Sequence, residues 1–213
     1  NFWLHNERLI HQWKTVLRML PGQEVVLFDG TTHDRLYKIL EINEREAHLE
    51  FVTDFERKLP KKDVYLFWSL LKKDKNDWIL QKCTELGVSH FVPLIADRSE
   101  KTGFNPERAA KILIEASEQC GRSDIPSVRE PMNVQSVLGD YKEKVGLYIC
   151  EQDSSESIEA SGDPSGVLIG PEGGWSDNEK DLFKQSGIEH LSIHDFTLRA
   201  ETAPVAAATK LLQ

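Results

Sequence analysis

At 213 residues the chain has room for one large domain or two small ones, and its 39% apolar content is ordinary for a globular protein. Its 26 Lys and Arg against 35 Asp and Glu leave a formal charge of −9, so it lacks the uniformly basic footprint typical of a nucleic-acid binder. No apolar run approaches the roughly 18–20 residues of a membrane span, and no basic-then-apolar leader pattern opens the chain.

The start, Asn1-Phe2-Trp3, lacks a methionine and reads as trimmed. Apolar positions at Leu9, Ile10, Trp13, Val16, Leu17 and Leu20 predict a helix over 7–20, ended by Pro21-Gly22. Strand-like runs follow over 24–28, 35–42 and 47–52, separated by Asp29-Gly30 and by Asn43-Glu44. Short strands with one helix and no room for crossovers predict a small antiparallel β-barrel over residues 1–60. Its charged end, Asp54 through Lys62, reads as a linker or a solvated face. Lys14 and Arg18, four residues apart, share a predicted helix face and are candidate phosphate contacts; Lys61 and Lys62 form a further basic cluster.

From residue 61 strands alternate with helices, which predicts a mainly parallel α/β domain over 61–213. The run 64–70 is apolar enough for a strand buried on both faces. A basic cluster with Lys72 precedes a helix capped by Asp74 or Asn76, with Trp78, Ile79, Cys83 and Leu86 on its inner face and Gly87 as its stop. A strand is expected over 88–95, then a helix opened by Asn105-Pro106 and running to Gly121, with the basic candidate Arg122 at its end. Strands are expected over 145–150, 167–169 and 190–193, and a last helix near Pro204. Cys83, Cys120 and Cys150 are odd in number and far apart, without a C-x-x-C pair, and the histidines show no ligand spacing. That argues against a disulfide framework and a metal site, and for a reducing cytoplasm.

Two stretches of this second domain carry the chemistry. Gly170-Pro171-Glu172-Gly173-Gly174-Trp175-Ser176 follows the apolar run 167–169, and Ser176 with Glu179 forms a capping box for the next helix. A strand, a glycine-rich loop and a helix start outline a ligand crevice, although a tight connection without a ligand has the same signature. No G-x-x-x-x-G-K-[ST] or G-x-G-x-x-G is present, and Glu172 and Asp177 would repel a polyphosphate. The loop therefore suits a neutral or locally cationic ligand. The second stretch is Leu198-Arg199-Ala200-Glu201-Thr202-Ala203. Arg199, between two apolar neighbours, reads as a buried arginine needing a partner: either a catalytic cation with Glu201 as proton acceptor, or half of a structural Arg199–Glu201 bridge. Thr202 is then a ligand contact or the helix N-cap.

Together these stretches resemble the RsmE family of ribosomal RNA uridine-N3 methyltransferases, within the SPOUT class of knotted methyltransferases. The likeness extends over His11 to Arg18, Leu27 to Gly30, Lys72 to Trp78, Gln81 to Val88, Glu115-Ala116, Gln119, Gly121-Arg122 and Ile125-Pro126. It departs at Ile193-His194-Asp195-Phe196, where the family has a Leu-Gly pair and a basic residue. The resemblance implies a PUA-like RNA-binding barrel followed by a trefoil-knotted domain, S-adenosylmethionine as cofactor, small-subunit ribosomal RNA as partner, and a homodimer without metal or membrane. It implies Arg199 and Glu201 as catalytic residues. Its cofactor site would comprise Leu147, Glu151, Ile169, Gly170, Pro171, Glu172, Gly173, Gly174, Ile193, Leu198, Ala200 and Thr202. Lys14, Arg18, Lys61, Lys62, Lys72 and Arg122 would face RNA. A non-catalytic RNA-binding or ribosome-assembly protein on the same fold is the alternative.

Overall fold

The computed structural model describes residues 1–100, 103–150, 162–193 and 196–213. They form two compact units, Asn1–Lys58 and Leu59–Gln213.

The first unit is an antiparallel sheet with one helical segment. Strands β1 (Phe2–Leu4), β2 (Glu24–Phe28), β3 (Asp34–Ile42) and β4 (Ala47–Phe55) hydrogen-bond in the order β1-β4-β3-β2. The β2–β3 turn is held by Asp29, whose carboxylate accepts from the backbone N–H groups of Thr31, Thr32 and His33. Helix α1 (Glu7–His11) starts where the Asn6 side chain accepts from Leu9 N, then widens into a π-turn over Gln12–Val16. Ile10 and Trp13 reach the core formed with Ile39, Ala47 and Leu49.

The predicted helix over 7–20 is thus four residues too long. Val16, Leu17 and Leu20 are exposed, and Arg18 adopts a left-handed φ of 53° beyond the helix end. Wide π-turns break the 3.6-residue stripe, and Pro21 disfavours a helical Leu20 before it. The shared helix face proposed for Lys14 and Arg18 is therefore absent. Lys14 instead pairs with Glu44 at 2.7 Å.

In the second unit every sheet pairing is parallel. Strands β5 (Val64–Ser69), β6 (His90–Leu94), β7 (Ser127–Val128), β8 (Gly146–Cys150), β9 (Ser165–Ile169) and β10 (Glu189–His190) lie in the order β10-β8-β9-β5-β6-β7. Alternation along β5 sends Leu66 and Trp68 to one face and Phe67 to the other. Helices α2 (Lys73–Leu86), α3 (Pro106–Cys120) and α6 (Thr202–Leu212) cover the first face. Helices α4 (Val134–Tyr141) and α5 (Asp177–Ser186) cover the second. The chain leaves β5 for the first face and β9, its neighbour, for the second. Such a divergence opens a crevice beyond the C-terminal strand ends.

Local chemistry accounts for several departures from expectation. Lys72, not Asp74 or Asn76, occupies the N-cap of α2 and makes no side-chain cap. Asn76 is buried instead: its Oδ1 accepts from Trp68 Nε1 at 3.1 Å and Leu71 N at 3.0 Å, and its Nδ2 donates to Leu71 O. It stitches the end of β5 to the helix, a tertiary role that helix spacing does not reveal. The inner face of α2 is Ile79, Leu80, Cys83 and Thr84, whereas Trp78 and Leu86 are about 40% exposed. Helix α4, capped by the Asn133 side chain, was not anticipated. The strand expected over 190–193 is only Glu189–His190, and α6 begins at Thr202, with Pro204 in its first turn, where a missing N–H costs nothing. No helix of the described residues is long and apolar enough to cross a membrane.

Candidate active site

The divergence of β5 and β9 places the glycine loop at the mouth of the crevice, and its backbone is built around Trp175. That indole is 3% exposed and packs edge-on against Phe183 of α5, with ring centroids 4.9 Å apart. A Cβ on Gly170 would lie 3.0 Å from Trp175 Cε2, so any side chain here crowds the buried indole. Gly174 takes a left-handed φ of 69° as its N–H closes a turn onto Pro171 O at 2.8 Å. The carbonyl of Gly173 accepts from Arg98 Nη1 at 3.0 Å.

Below the loop, Ser176 caps α5 reciprocally with Glu179. Glu179 is 3% exposed and also accepts from Asp97 N at 3.0 Å. This acid belongs to the helix start and the β6 loop.

The opposite wall is the segment before α6. Arg199 O accepts from the N–H groups of Thr202 and Ala203, tightening the turn that presents Leu198, Arg199, Ala200 and Glu201. Between the two walls lies a cavity of about 820 Å3, closed at its base by Cys150 and Ile169 at the ends of β8 and β9. Burial pushes the Cys150 thiol up to about 12, so it remains neutral.

One cation joins the walls. Lys75 Nζ, on the first turn of α2, lies 2.8 Å from Glu172 Oε1 and 3.1 Å from Glu201 Oε2. The hydrogen bond to Glu172, then the close contact with Glu201, holds the ammonium above its ordinary value. The Glu201 carboxyl is held below the usual range, first by its own backbone N–H, then by Lys75, with Arg199 adding a smaller pull. Glu201 is therefore an anion at neutral pH.

Of the residues expected at the site, Ile169, Gly170, Pro171, Glu172, Gly173, Gly174, Ile193, Leu198, Arg199, Ala200 and Glu201 all line this cavity. Leu147 does not: three residues before the end of β8, it is buried in the core under α4 and α5. Thr202 is neither a lining residue nor the N-cap, which is Glu201. Glu151, like His194 and Asp195, lies outside the described residues. Arg199 corrects a larger expectation. It is exposed, and among the described residues its guanidinium has no ion-pair or hydrogen-bond partner, so no Arg199–Glu201 bridge forms; Glu201 pairs with Lys75 instead.

The basic candidates also divide. Arg122 is 7% exposed, forks onto Asp124, and donates to Thr84 O and Val88 O, each at 2.9 Å. It closes the end of α2 from inside and is unavailable to a polynucleotide. Lys62 Nζ donates to Leu211 O at 3.1 Å, satisfying a terminal carbonyl of α6. Lys61 and Lys72 are exposed. Sequence reasoning overlooked Lys75, Arg98 and Trp175. Lys75 lies in the basic cluster with Lys72, and Trp175 within the glycine motif, but only the fold shows what they touch.

A family model described as an RNA methyltransferase domain matches residues 57–212, and one described as an RNA methyltransferase PUA domain matches residues 14–52. The ribosomal RNA small subunit methyltransferase E of Aquifex aeolicus is 31% identical over 192 residues, covering 86% of this chain and 84% of its own. A Legionella pneumophila structure in complex with bound SAM superposes with a TM-score of 0.86 at 27% identity, covering 99% of this chain and 91% of that one. The ribosomal RNA small subunit methyltransferase E of Neisseria gonorrhoeae, bound to S-adenosyl methionine, superposes with a TM-score of 0.85 at 25% identity, covering 97% and 90%. Among the described residues no cluster of three or more His, Cys, Asp or Glu is placed to hold a metal ion.

Proposed function

The chain belongs to the RNA methyltransferase family, and from that premise we propose that it transfers a methyl group from S-adenosylmethionine to N3 of a uridine in small-subunit ribosomal RNA. The observation that carries this reading is the cavity where β5 and β9 diverge, walled by the glycine loop and the turn before α6. Its volume of about 820 Å3 lies within the range of cofactor pockets. Its surfaces suit S-adenosylmethionine: peptide groups freed by the glycines for the adenine edge, Ile169 and Leu198 as apolar walls, and carboxylates near a cation. The trefoil knot implied by the family resemblance accords with a β10 that crosses beyond β8 before the chain returns to α6 on the other face.

The cofactor supplies an electrophilic methyl group. The protein's part is to bind the uracil ring, remove or share the N3 proton, and stabilise the charge left behind. Loss of that proton spreads negative charge over the ring carbonyls. Arg199, exposed at the cavity rim and unpaired among the described residues, presents a fork of donors where such an oxyanion would sit. Glu201, ionised on the same turn, is the proton acceptor within this reading.

The test is incubation with methyl-labelled S-adenosylmethionine and small-subunit ribosomal RNA, both free and assembled into the subunit. Nucleoside mass spectrometry is expected to find 3-methyluridine. Label appearing on another base, or none on either substrate, would remove the reading.

A homodimer belongs to the same proposal. Helix α6 carries the small-residue run Ala206-Ala207-Ala208, but Ala207 and Ala208 are buried in this chain's own core, so the dimer is supported by the family resemblance and not by this run. Sedimentation equilibrium at micromolar concentration is expected to give twice the chain mass of 24.3 kDa; a single-chain mass would exclude the dimer.

A further inference from the structure

We propose that Lys75 is a positioning residue of this site: its ammonium ties the glycine loop to the turn that opens α6 and keeps Glu201 aimed into the cavity. The proposal rests on the methyltransferase reading above. It begins from a residue in an unfavourable place. Lys75 sits on the first turn of α2, where the helix dipole disfavours a cation. What offsets this is geometry: two carboxylates from two different loops lie within 3.1 Å of its nitrogen.

The Lys75–Glu201 contact differs from an ordinary surface pair, which contributes little, whereas the Glu172 side chain is 56% exposed. The Lys75 and Glu201 side chains are 29% and 20% exposed, and Glu201 Oε2 is buried without an aligned hydrogen bond from any described residue. The ammonium is thus the main charge holding that oxygen. Glu201 itself stands at the N-cap of α6 but makes no capping hydrogen bond with its side chain. Its side chain is therefore held by its own backbone N–H and by Lys75, and not by a capping bond to the later amides of the helix.

Removing the ammonium would leave Glu172 and Glu201 facing one another across the space it occupied. Like charges that close repel, and the repulsion acts on the two walls of the cavity together. Helix α2 is the fixed side of this arrangement, because Asn76, next to Lys75, is anchored to Trp68 and Leu71 of the β5 end. Among the described residues neither Glu172 nor Glu201 makes a side-chain contact of that kind besides Lys75.

Three variants test this: Lys75→Met, Lys75→Arg, and Lys75→Met combined with Glu172→Gln. In the ligand-free protein, hydrogen exchange in 170–174 and in 198–203 is expected to accelerate together in Lys75→Met, while β5 and the body of α2 stay protected. Single-turnover methyl transfer at saturating S-adenosylmethionine is expected to fall on the order of 10- to 100-fold, as misplacing a catalytic group does. Cofactor affinity should change less than the rate. Lys75→Arg should restore most of the rate and protection, and the double variant part of both, because it removes the like-charge contact.

Unchanged exchange in both loops, or a Lys75→Met rate within about twofold of the parent, overturns the proposal. So does a double variant more impaired than Lys75→Met alone, since that would make Glu172 useful in itself. Absence of methyl transfer by the parent protein would instead refute the reading of function, and the exchange data would still decide the role of Lys75.

Discussion

Arg199→Ala is expected to slow methyl transfer by about 100- to 1000-fold while S-adenosylmethionine affinity stays within a few-fold of the parent. Loss of one preorganised donor to a developing oxyanion typically costs about 2.7–4 kcal/mol. The effect is differential, because negative charge on the uracil ring grows only towards the transition state, whereas a bound sulfonium gains nothing from a neighbouring guanidinium. The structure sharpens the expectation in one respect. A buried Arg199–Glu201 bridge would have made the substitution destabilising by roughly 3–5 kcal/mol, and any loss of activity would then track the folded fraction. Arg199 is exposed, and Glu201 is held by Lys75, so the melting temperature should barely move, as is usual for a surface change of about 0.5 kcal/mol or less. Arg199→Lys separates charge from geometry: a point charge lacks the planar fork, and recovery should be partial. The measurement is single-turnover methylation of ribosomal RNA beside a thermal melt and a calorimetric titration for both variants. A variant with a near-normal rate would end the catalytic assignment of Arg199.

Arg199 also shows where sequence pattern stops being informative. Placed between Leu198 and Ala200, it resembled a buried residue, yet the turn before α6 is neither helix nor strand. No periodicity relates neighbouring side chains there to a common face, so burial cannot be inferred from flanking residues. Arg122 failed in the opposite sense. Lying just past the glycine that ends α3, it looked solvent-facing, but it turns inward to satisfy the carbonyls Thr84 O and Val88 O at the far end of α2. Contacts between segments distant in the chain leave no mark in local spacing.

Where a backbone requirement is local, the reading was much better. The Ser176 and Glu179 capping box, the Asn105-Pro106 helix start, and the stops at Gly87 and Gly121, both with positive φ, follow from single residues and their neighbours. The buried strands β5, β8 and β9 were legible from apolar runs bounded by turn residues. The glycine loop lines the cavity as expected, and its torsions and close approaches are likewise written in residue type. What could not be read was the third partner. Lys75 joins Glu172 and Glu201 only because β9 lies beside β5 in the sheet.

The glycine loop supplies the second large effect. Gly170→Val is expected to lower S-adenosylmethionine affinity on the order of 100-fold, the equivalent of about 2.7 kcal/mol. The Cβ alone would approach Trp175 Cε2, Cδ2 and Nε1 at 3.0, 3.2 and 3.3 Å, and valine adds two further carbons. The indole has little freedom to retreat, being buried against Phe183 within the core under α4 and α5. The strain, on the order of 1–3 kcal/mol for overpacking, is most easily relieved by displacing the loop into the cavity. The other two glycines provide graded controls. Gly174→Ala meets no neighbouring atom but needs φ near 69°, which disfavours an L-residue by roughly 1–2 kcal/mol. Gly173→Ala would place its Cβ 3.4 Å from Arg98 Cβ and 3.6 Å from Arg98 Cδ, on a side chain able to give by a few tenths of an ångström. The expected order of affinity loss is therefore Gly170→Val well above Gly174→Ala, with Gly173→Ala smallest. Calorimetric titration of the three variants, each checked for folding by near-ultraviolet circular dichroism, decides the matter. Full affinity in a folded Gly170→Val protein would place the cofactor outside this loop, since the backbone that requires the glycine would then have no part in binding it.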